Sequence, residues 1–245
     1  MVKKRFSVVI PALNEEKYLP RLLNALARQT YTDFEVVVVD GGSRDDTQKI
    51  VREYKAFYPL FLKVSQRKNV GLQRNVGAFA SQGEYLVFFD ADVTIFPDYF
   101  ATIVKRLQKR PIGIATTRFV PDSPSLLDHF LTHLCGWGIQ ASLILGKPFM
   151  SGQNLIIRRD IFNHVGGFDK TVIHGEDCDL VQRVVKAHYL GEFLKSPTHV
   201  VSFRRLRKEG RMEVIWKYTL SFFYQIIRGP IRSSLFAYEM GGQAN

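Results

Sequence analysis

Short apolar runs alternate with stretches in which apolar positions recur every three or four residues, and this happens four times in the first ninety residues. The runs at 8–10, 34–39, 61–64 and 85–89 are rich in β-branched and aromatic side chains and are bounded by Gly, Pro, Asn or Asp, which predicts strands. Pro11 is expected to close the first of them. Between the runs, Leu19, Leu22, Leu23, Leu26 and Ala27 fall on one helical face, with Pro20 in the first turn where a missing N–H does no harm. Asp45, Asp46 and Thr47 offer caps to a second helix through Ile50, Val51 and Tyr54, and residues 69–77 lead into a third. Strand–helix alternation of this kind predicts an α/β fold, a Rossmann-like parallel sheet with helices on both faces.

The second half is less regular. A helix at 99–109, a strand at 112–117 and the loop Pro121-Asp122-Ser123-Pro124 come first. An apolar helical stretch follows at 126–145, expected to break near Gly136-Trp137-Gly138, with Asp128, His129 and His133 arguing against a membrane span. A strand at 155–157, a helix opening at Gly175-Glu176, and two short closing strands at 193–194 and 200–201 complete it. The expected organisation is one unit over 1–203, divided into 1–120 and 121–203, and a basic helical tail over 204–245.

Composition narrows the class. Hydrophobic content of 46% is ordinary for a globular chain. The two cysteines, Cys135 and Cys178, form no C-x-x-C pair, so a disulfide scaffold or structural zinc is not expected and a cytoplasmic, reducing setting fits. The apolar run after Lys3-Lys4-Arg5 is too short for a signal peptide. A net charge of +11 points to polyanionic partners: nucleic acid, an acidic membrane or phosphorylated small molecules. Much of it sits late, at Arg204, Arg205, Arg207, Lys208 and Arg211. The helix at 212–228 carries a polar stripe (Glu213, Lys217, Ser221, Gln225, Arg228) against Ile215, Trp216, Leu220, Phe222, Phe223, Ile226 and Ile227. It suits either peripheral contact with the cytoplasmic face of a membrane or packing on the body of the protein.

The apolar run at 85–89 stops at Asp90-Ala91-Asp92. Two carboxylates so close repel unless a positive charge lies beside them, and a hard divalent ion is one such charge; a surface turn with solvated aspartates is the other reading. Asn14-Glu15 and Asp40 also end predicted strands, so the carboxyl edge of one sheet would gather them in a single cleft. Glu176, Asp177 and Asp179 open a helix, where acids are also favoured by the helix dipole alone. His129 and His133 lie one turn apart, a spacing metals can use, although surface histidines are the default.

Taken in order, Val8-Val9-Ile10-Pro11-Ala12-Leu13-Asn14-Glu15-Glu16, Val38-Val39-Asp40-Gly41-Gly42-Ser43, Arg74-Asn75-Val76-Gly77, Asp90-Ala91-Asp92 and Gly167-Phe168-Asp169 with Gly175-Glu176-Asp177 resemble the family 2 inverting glycosyltransferases of GT-A fold. The resemblance spans about residues 6–203. It implies a nucleotide-binding half (1–120), an acceptor half (121–203), a nucleotide-sugar donor and Mn²⁺ or Mg²⁺. By resemblance Pro11, Asn14 and Glu15 form the first nucleotide-contacting loop, Asp40 meets base or ribose in a way that suits uracil, and Arg74 lies near the diphosphate. Asp92 is the direct metal ligand, Asp90 reaches ribose or a metal-bound water, and His199 corresponds to a late histidine completing the metal site. Asp177, preceded by Glu176, is the base that takes a proton from an acceptor hydroxyl, on a glycan or a polyprenyl-linked acceptor. The Q/R-x-x-R-W motif of processive synthases is absent from the sequence, which favours transfer of a single sugar.

Two other functions fit the sequence less well. A sugar nucleotidyltransferase would carry a Gly-rich phosphate loop after strand one, where this chain has Pro11-Ala12-Leu13-Asn14. A nucleic-acid-binding protein is suggested by charge, yet no such motif is present and carboxylates crowd the expected cleft, so nucleic acid is not an expected partner.

Overall fold

The computed structural model of the chain describes residues 4–65, 67 and 69–232. Its first half carries the predicted alternation: β1 (Phe6–Ala12), α1 (Leu19–Ala27), β2 (Phe34–Asp40), α2 (Thr47–Glu53), β3 (Leu60–Val64), α3 (Val70–Phe79) and β4 (Tyr85–Phe89). β1 runs parallel to β2 and β4, and β2 parallel to β3. Every residue of β1, β2 and β4 is buried, which is why these strands read as continuous apolar runs. Alternate residues feed two cores. Val8, Ile10, Val87 and Phe89 face α1, while Val9, Leu86 and Phe88 face the opposite side of the sheet.

Local chemistry sets the helix starts. The Asn69 side chain accepts from Leu72 N at 2.7 Å, and Asp45 Oδ1 accepts from Thr47 N at 3.0 Å. Pro11 does not end β1, as expected from sequence, but lies within it. The β4 ladder stops at Val9, so Pro11 continues only against Val39 of β2.

The second half comprises β5 (Thr94–Ile95), α4 (Tyr99–Leu107), β6 (Ile114–Pro121), α5 (Leu126–Ile144), β7 (Asn154–Arg158), α6 (Arg159–His164), α7 (Glu176–Lys186) and β8 (Gly191–Val201). All eight strands join one sheet, in the order β3-β2-β1-β4-β7-β6-β8-β5. Here the sheet is mixed. β7 is antiparallel to β4 and β6, β5 is antiparallel to β8, and β6 is parallel to β8. β7 therefore sutures the two sequence halves, and the predicted boundary loop only begins where β6 ends.

Two local expectations are corrected. The closing segments at 193–194 and 200–201 belong to one strand, β8, whose register against β6 jumps from Leu194 to Thr198. Pro197, which has no N–H to donate, falls in the residues that are skipped. α5 is unbroken at Gly136, where the glycine serves close packing instead: a Cβ there would lie 3.3 Å from the Phe193 ring.

α8 (Arg204–Glu209) and α9 (Arg211–Arg228) follow β8. The tail packs on the body: Val214 and Ser221 are buried, Ile173 N donates to Ile231 O at 2.8 Å, and Arg232 meets Asp169 at 2.8 Å. The side chains of Phe222, Phe223, Ile226 and Ile227 in the predicted apolar face, and residues 233–245 of the predicted tail, lie outside the described ones. Among the described residues no helix is long and apolar enough to cross a membrane.

α3 lies hard against β1 and β2 because residue 77 is glycine: a Cβ there would overlap Val9 Cγ1 and sit 3.2 Å from Val39 Cγ2. Gly77→Ala gains about 1 kcal/mol of helix propensity but forces α3 off the sheet at a cost of ~1–3 kcal/mol. A net loss of stability is expected in urea unfolding, and an unchanged midpoint would show that α3 has room to spare.

Candidate active site

The carboxyl ends of β1, β2 and β4 present the predicted residues along one edge. Asn14 turns the chain with a φ of 53°, a left-handed conformation that Asn tolerates. Its N–H donates to Ser43 Oγ at 2.8 Å and its Oδ1 accepts from Arg44 N at 2.9 Å. Glu15 N donates to Thr47 Oγ1 at 2.8 Å, so the loops after β1 and β2 are zipped together. Asp40 is fully buried under them. Its carboxylate accepts from Gly42 N at 3.1 Å, Ser43 N at 3.0 Å, Gln48 Nε2 at 2.8 Å and the Ser43 hydroxyl, while its carbonyl takes Ser65 N at 2.7 Å. Asp40 thus acts first as the organiser of this loop.

Arg74 projects from α3 into the floor of the cleft and is 2% exposed. Its Nη2 donates to Asp90 Oδ1 at 2.8 Å and to Gly152 O at 3.0 Å; its Nη1 donates to Glu176 Oε1 at 2.8 Å. The guanidinium also lies 5.4 Å from the centre of the Phe168 ring. Burial works against its charge, but Asp90, Glu176 and Asp177 outweigh that and raise its pKa. Burial and the neighbouring charge of Asp177 raise Glu176, with Arg74 opposing.

Gly152 joins the two flanks. Its carbonyl meets Arg74 and its N–H donates to Asp177 Oδ2, while Asp177 Oδ1 accepts from Cys178 N at 2.8 Å. Asp177 and Asp90 are therefore anchored to one peptide neighbourhood and do not face apart. A Cβ on Gly152 would stand 2.9 Å from both Arg74 Nη2 and Asp177 Oδ2. Any larger residue there has to push these two side-chain ends aside.

Asp92 has a partner that the sequence did not suggest. Arg204, the first residue of α8, forks onto Glu15 (2.7 and 2.8 Å), contacts Asp92 Oδ2 through Nε at 2.9 Å, and stacks 4.5 Å over Tyr18. Burial pushes Asp92 up to about 7, with Arg204 pulling it down and Asp90 and Glu15 adding to the rise. For Arg204, burial opposes the charge and the carboxylates of Glu15 and Asp92 more than restore it. Sequence reading placed this arginine in a basic cluster of the tail. The available signal was the excess of acids at the strand ends, which called for a cation from elsewhere.

His199 makes its hydrogen bond within the sheet. Its ring is buried in β8, with Nδ1 2.8 Å from Thr117 Oγ1, and burial lowers its pKa to about 3. It belongs to a polar seam in which Asn154 Nδ2 donates to Tyr99 OH at 2.7 Å and Asn154 Oδ1 accepts from Thr117 N at 3.3 Å. The register explains the contact: His199 pairs with Phe119 of β6, and Thr117, two residues away, lies on the same face of the sheet. Among the described residues no group of three or more His, Cys, Asp or Glu side chains is arranged to hold a metal ion. His129 and His133 are engaged locally, with Ser123 O at 2.9 Å and Arg118 Nη2 at 3.0 Å.

Comparison with known proteins bears on this cleft. A sequence profile for "Glycosyl transferase family 2" matches residues 7–166. The chain is 46% identical over 94 residues to the poly(ribitol-phosphate) beta-N-acetylglucosaminyltransferase TarS of Staphylococcus aureus, which covers 36% of this chain and 16% of TarS. It is 28% identical over 229 residues to the succinoglycan biosynthesis protein ExoA of Rhizobium meliloti, covering 86% of this chain and 66% of ExoA. The chain thus spans less than two thirds of the length of these relatives. In fold it is similar to TarS 1–349 in complex with UDP-GlcNAc (TM-score 0.66, 22% identity, 81% of this chain and 58% of that one). It is equally similar to the mannosyltransferase PcManGT from Pyrobaculum calidifontis in complex with GDP-Man and Mn²⁺ (TM-score 0.67, 22% identity, 82% and 57%). With a profile match over more than half of its length, on the sheet that carries the cleft, the chain belongs to glycosyl transferase family 2.

Proposed function

We propose that this chain transfers one sugar, with inversion, from a nucleoside-diphosphate sugar to a hydroxyl of a glycan or polyprenyl-linked acceptor. The observation that carries the reading is the convergence on Gly152: the carboxylate fitted to act as base and the arginine gripping the Asp90-Ala91-Asp92 turn meet the same residue from two sides. The relatives named for UDP-GlcNAc and GDP-Man differ in both base and sugar. A UDP-sugar is favoured here by the resemblance of the Asp40 loop, and a lipid-linked acceptor fits peripheral membrane contact through residues 204–228.

In the reaction, Asp177 takes the proton of the acceptor hydroxyl as its oxygen bonds to the anomeric carbon. The bond from that carbon to the diphosphate oxygen breaks, and its electron pair leaves with the diphosphate. Gly152 N and Cys178 N hold the two carboxylate oxygens in place, so the base needs no reorientation. Arg74 fixes Asp90 and Glu176 relative to each other.

The donor set fits a hard divalent ion. Asp90 is 35% exposed at its side chain and its charge bears on Asp92, so the pair offers hard oxygen ligands, and an ion bound there would share Asp92 with the Arg204 guanidinium. Asp90 and Asp92 would hold Mn²⁺ or Mg²⁺ together with phosphate and water oxygens. When bound, the ion neutralises charge on the departing diphosphate.

Thermal shift against a panel of nucleoside diphosphates and their sugars, with and without Mn²⁺, tests the donor class; no response to any nucleotide would overturn the reading. Asp177→Asn is expected to keep that shift while lowering kcat by ~10²–10⁴-fold, and comparable loss of donor binding would remove Asp177 from the role of base. Gly152→Ala should push Asp177 and Arg74 apart and cost about 10²-fold in turnover, with folding intact by circular dichroism.

Asp92 also predicts a pH dependence of the metal-free protein. Its folded pKa of about 7 lies above the unfolded value near 3.8, so the folded state retains a proton that the unfolded state has lost. Its contribution is therefore a destabilisation that sets in as pH rises past about 4 and is complete above about 7. Asp92→Asn should flatten that part of the urea-midpoint profile, whereas an unaltered slope would mean that Arg204 keeps Asp92 ionised throughout.

A further inference from the structure

α5 is folded inside out. Its buried positions are Asp128, Thr132, Gly136, Ile139 and Ser142, of which one is a large apolar residue. Leu127, Phe130, Leu134, Trp137 and Ile144 face outward, exposed by 54, 59, 50, 64 and 86%. Helical spacing sets them along one stripe. A helix resting on a domain normally has the opposite arrangement, and an apolar patch of this extent marks a surface made to be covered.

A second group of exposed apolar side chains stands at the start of α9. Arg211, which opens α9, pairs with Asp128 in the first turn of α5 at 2.9 Å, and just beyond it Met212 and Trp216 are exposed by 80 and 63%. Cations edge the surface. Arg118 lies beside His133 of α5 at 3.0 Å, and Lys147 is exposed past the far end of the helix. No acidic side chain is exposed on α5.

We propose that the outward face of α5 docks peripherally on an anionic bilayer leaflet. A stripe of Leu, Phe and Trp with a cationic rim has the make-up of an interfacial helix. A protein partner is a poorer match, because interfaces between proteins carry about one hydrogen bond per 100–200 Å² and this stripe offers almost no polar groups. The main contact thereby moves from the tail to α5. The docking does not depend on the transfer chemistry, although the segment after α5 leads directly to Gly152 and would set the acceptor side of the cleft toward the leaflet.

The chain has two tryptophans, Trp137 on this face and Trp216 on α9, and both are exposed. In the full-length Trp216→Phe variant, Trp137 alone reports on α5. Mixed with phosphatidylglycerol–phosphatidylcholine vesicles, its emission should shift to the blue and be quenched by brominated acyl chains, with a weaker effect on pure phosphatidylcholine. The full chain should float with the anionic vesicles, and Phe130→Gln/Leu134→Gln/Trp137→Gln should lower that partitioning about tenfold or more while circular dichroism stays unchanged. Unquenched Trp137, or a triple variant that floats as well as the parent, would overturn the proposal. So would a parent that ignores vesicles and instead forms a dimer abolished by the triple substitution, which would make a second copy the occupant.

Discussion

A buried guanidinium is tolerable only where carboxylates come with it, and Arg74 sets that condition for the whole cleft. It is drawn from α3 into a site where water cannot solvate it, so Asp90 after β4 and Glu176 at the head of α7 must both be present. Removing one partner of such a set costs ~3–5 kcal/mol, because the charge left behind stays buried. The fold's irregular second half is fastened to its regular first half at this point. Phe168 covers the guanidinium, Gly152 accepts from it, and α7 starts where Glu176 can reach it. Asp177, next in sequence, then has little freedom in where its carboxylate lies.

The net charge of +11 conceals an acidic interior to the cleft. Glu15, Asp40, Asp90, Asp92, Glu176 and Asp177 all converge near the carboxyl edge of the sheet. The fold answers this in three ways. Asp40 is satisfied by its own loop, Asp90 and Glu176 by Arg74, and Glu15 and Asp92 by Arg204. A phosphate-bearing ligand entering the cleft meets carboxylates whose neutralising cations are already in place and can be shared with it. Excess positive charge elsewhere gives long-range attraction for the same ligands.

What the sequence made legible follows from locality. Strands buried on both faces show as unbroken apolar runs, and polar residues at their ends must sit on one sheet edge once the strands are parallel, so Asn14, Asp40 and Asp90 could be gathered without coordinates. The asymmetry of α1 was equally plain. Pairings between distant segments were not legible. Nothing local to 191–201 says that its two apolar pieces are one strand interrupted at Pro197, because that register is set by β6. Nothing local to His199 indicates that its ring is engaged by Thr117, far away in sequence. α5 misled for a different reason. Its apolar residues were counted without a side assigned to them, and its glycines, which suggested a break, proved to be compatible with an unbroken helix.

The boundary expected at residue 203 falls beside side chains that meet the cleft. Arg204 lies one residue past it and pairs with Glu15 and Asp92. On the other flank, Gly175 takes a φ of 80° immediately before Glu176, and a Cβ there would overlap the Gln225 side chain of α9. The backbone of Ile173 is bonded to Ile231 beyond that helix. The segment from α8 onward therefore spans the cleft, touching the carboxylate corner at one end and the loop that aims Asp177 at the other. Between these two contacts the chain bends at Gly210, whose φ is 91°. The tail is better understood as the outer wall of the site than as an appendage to it.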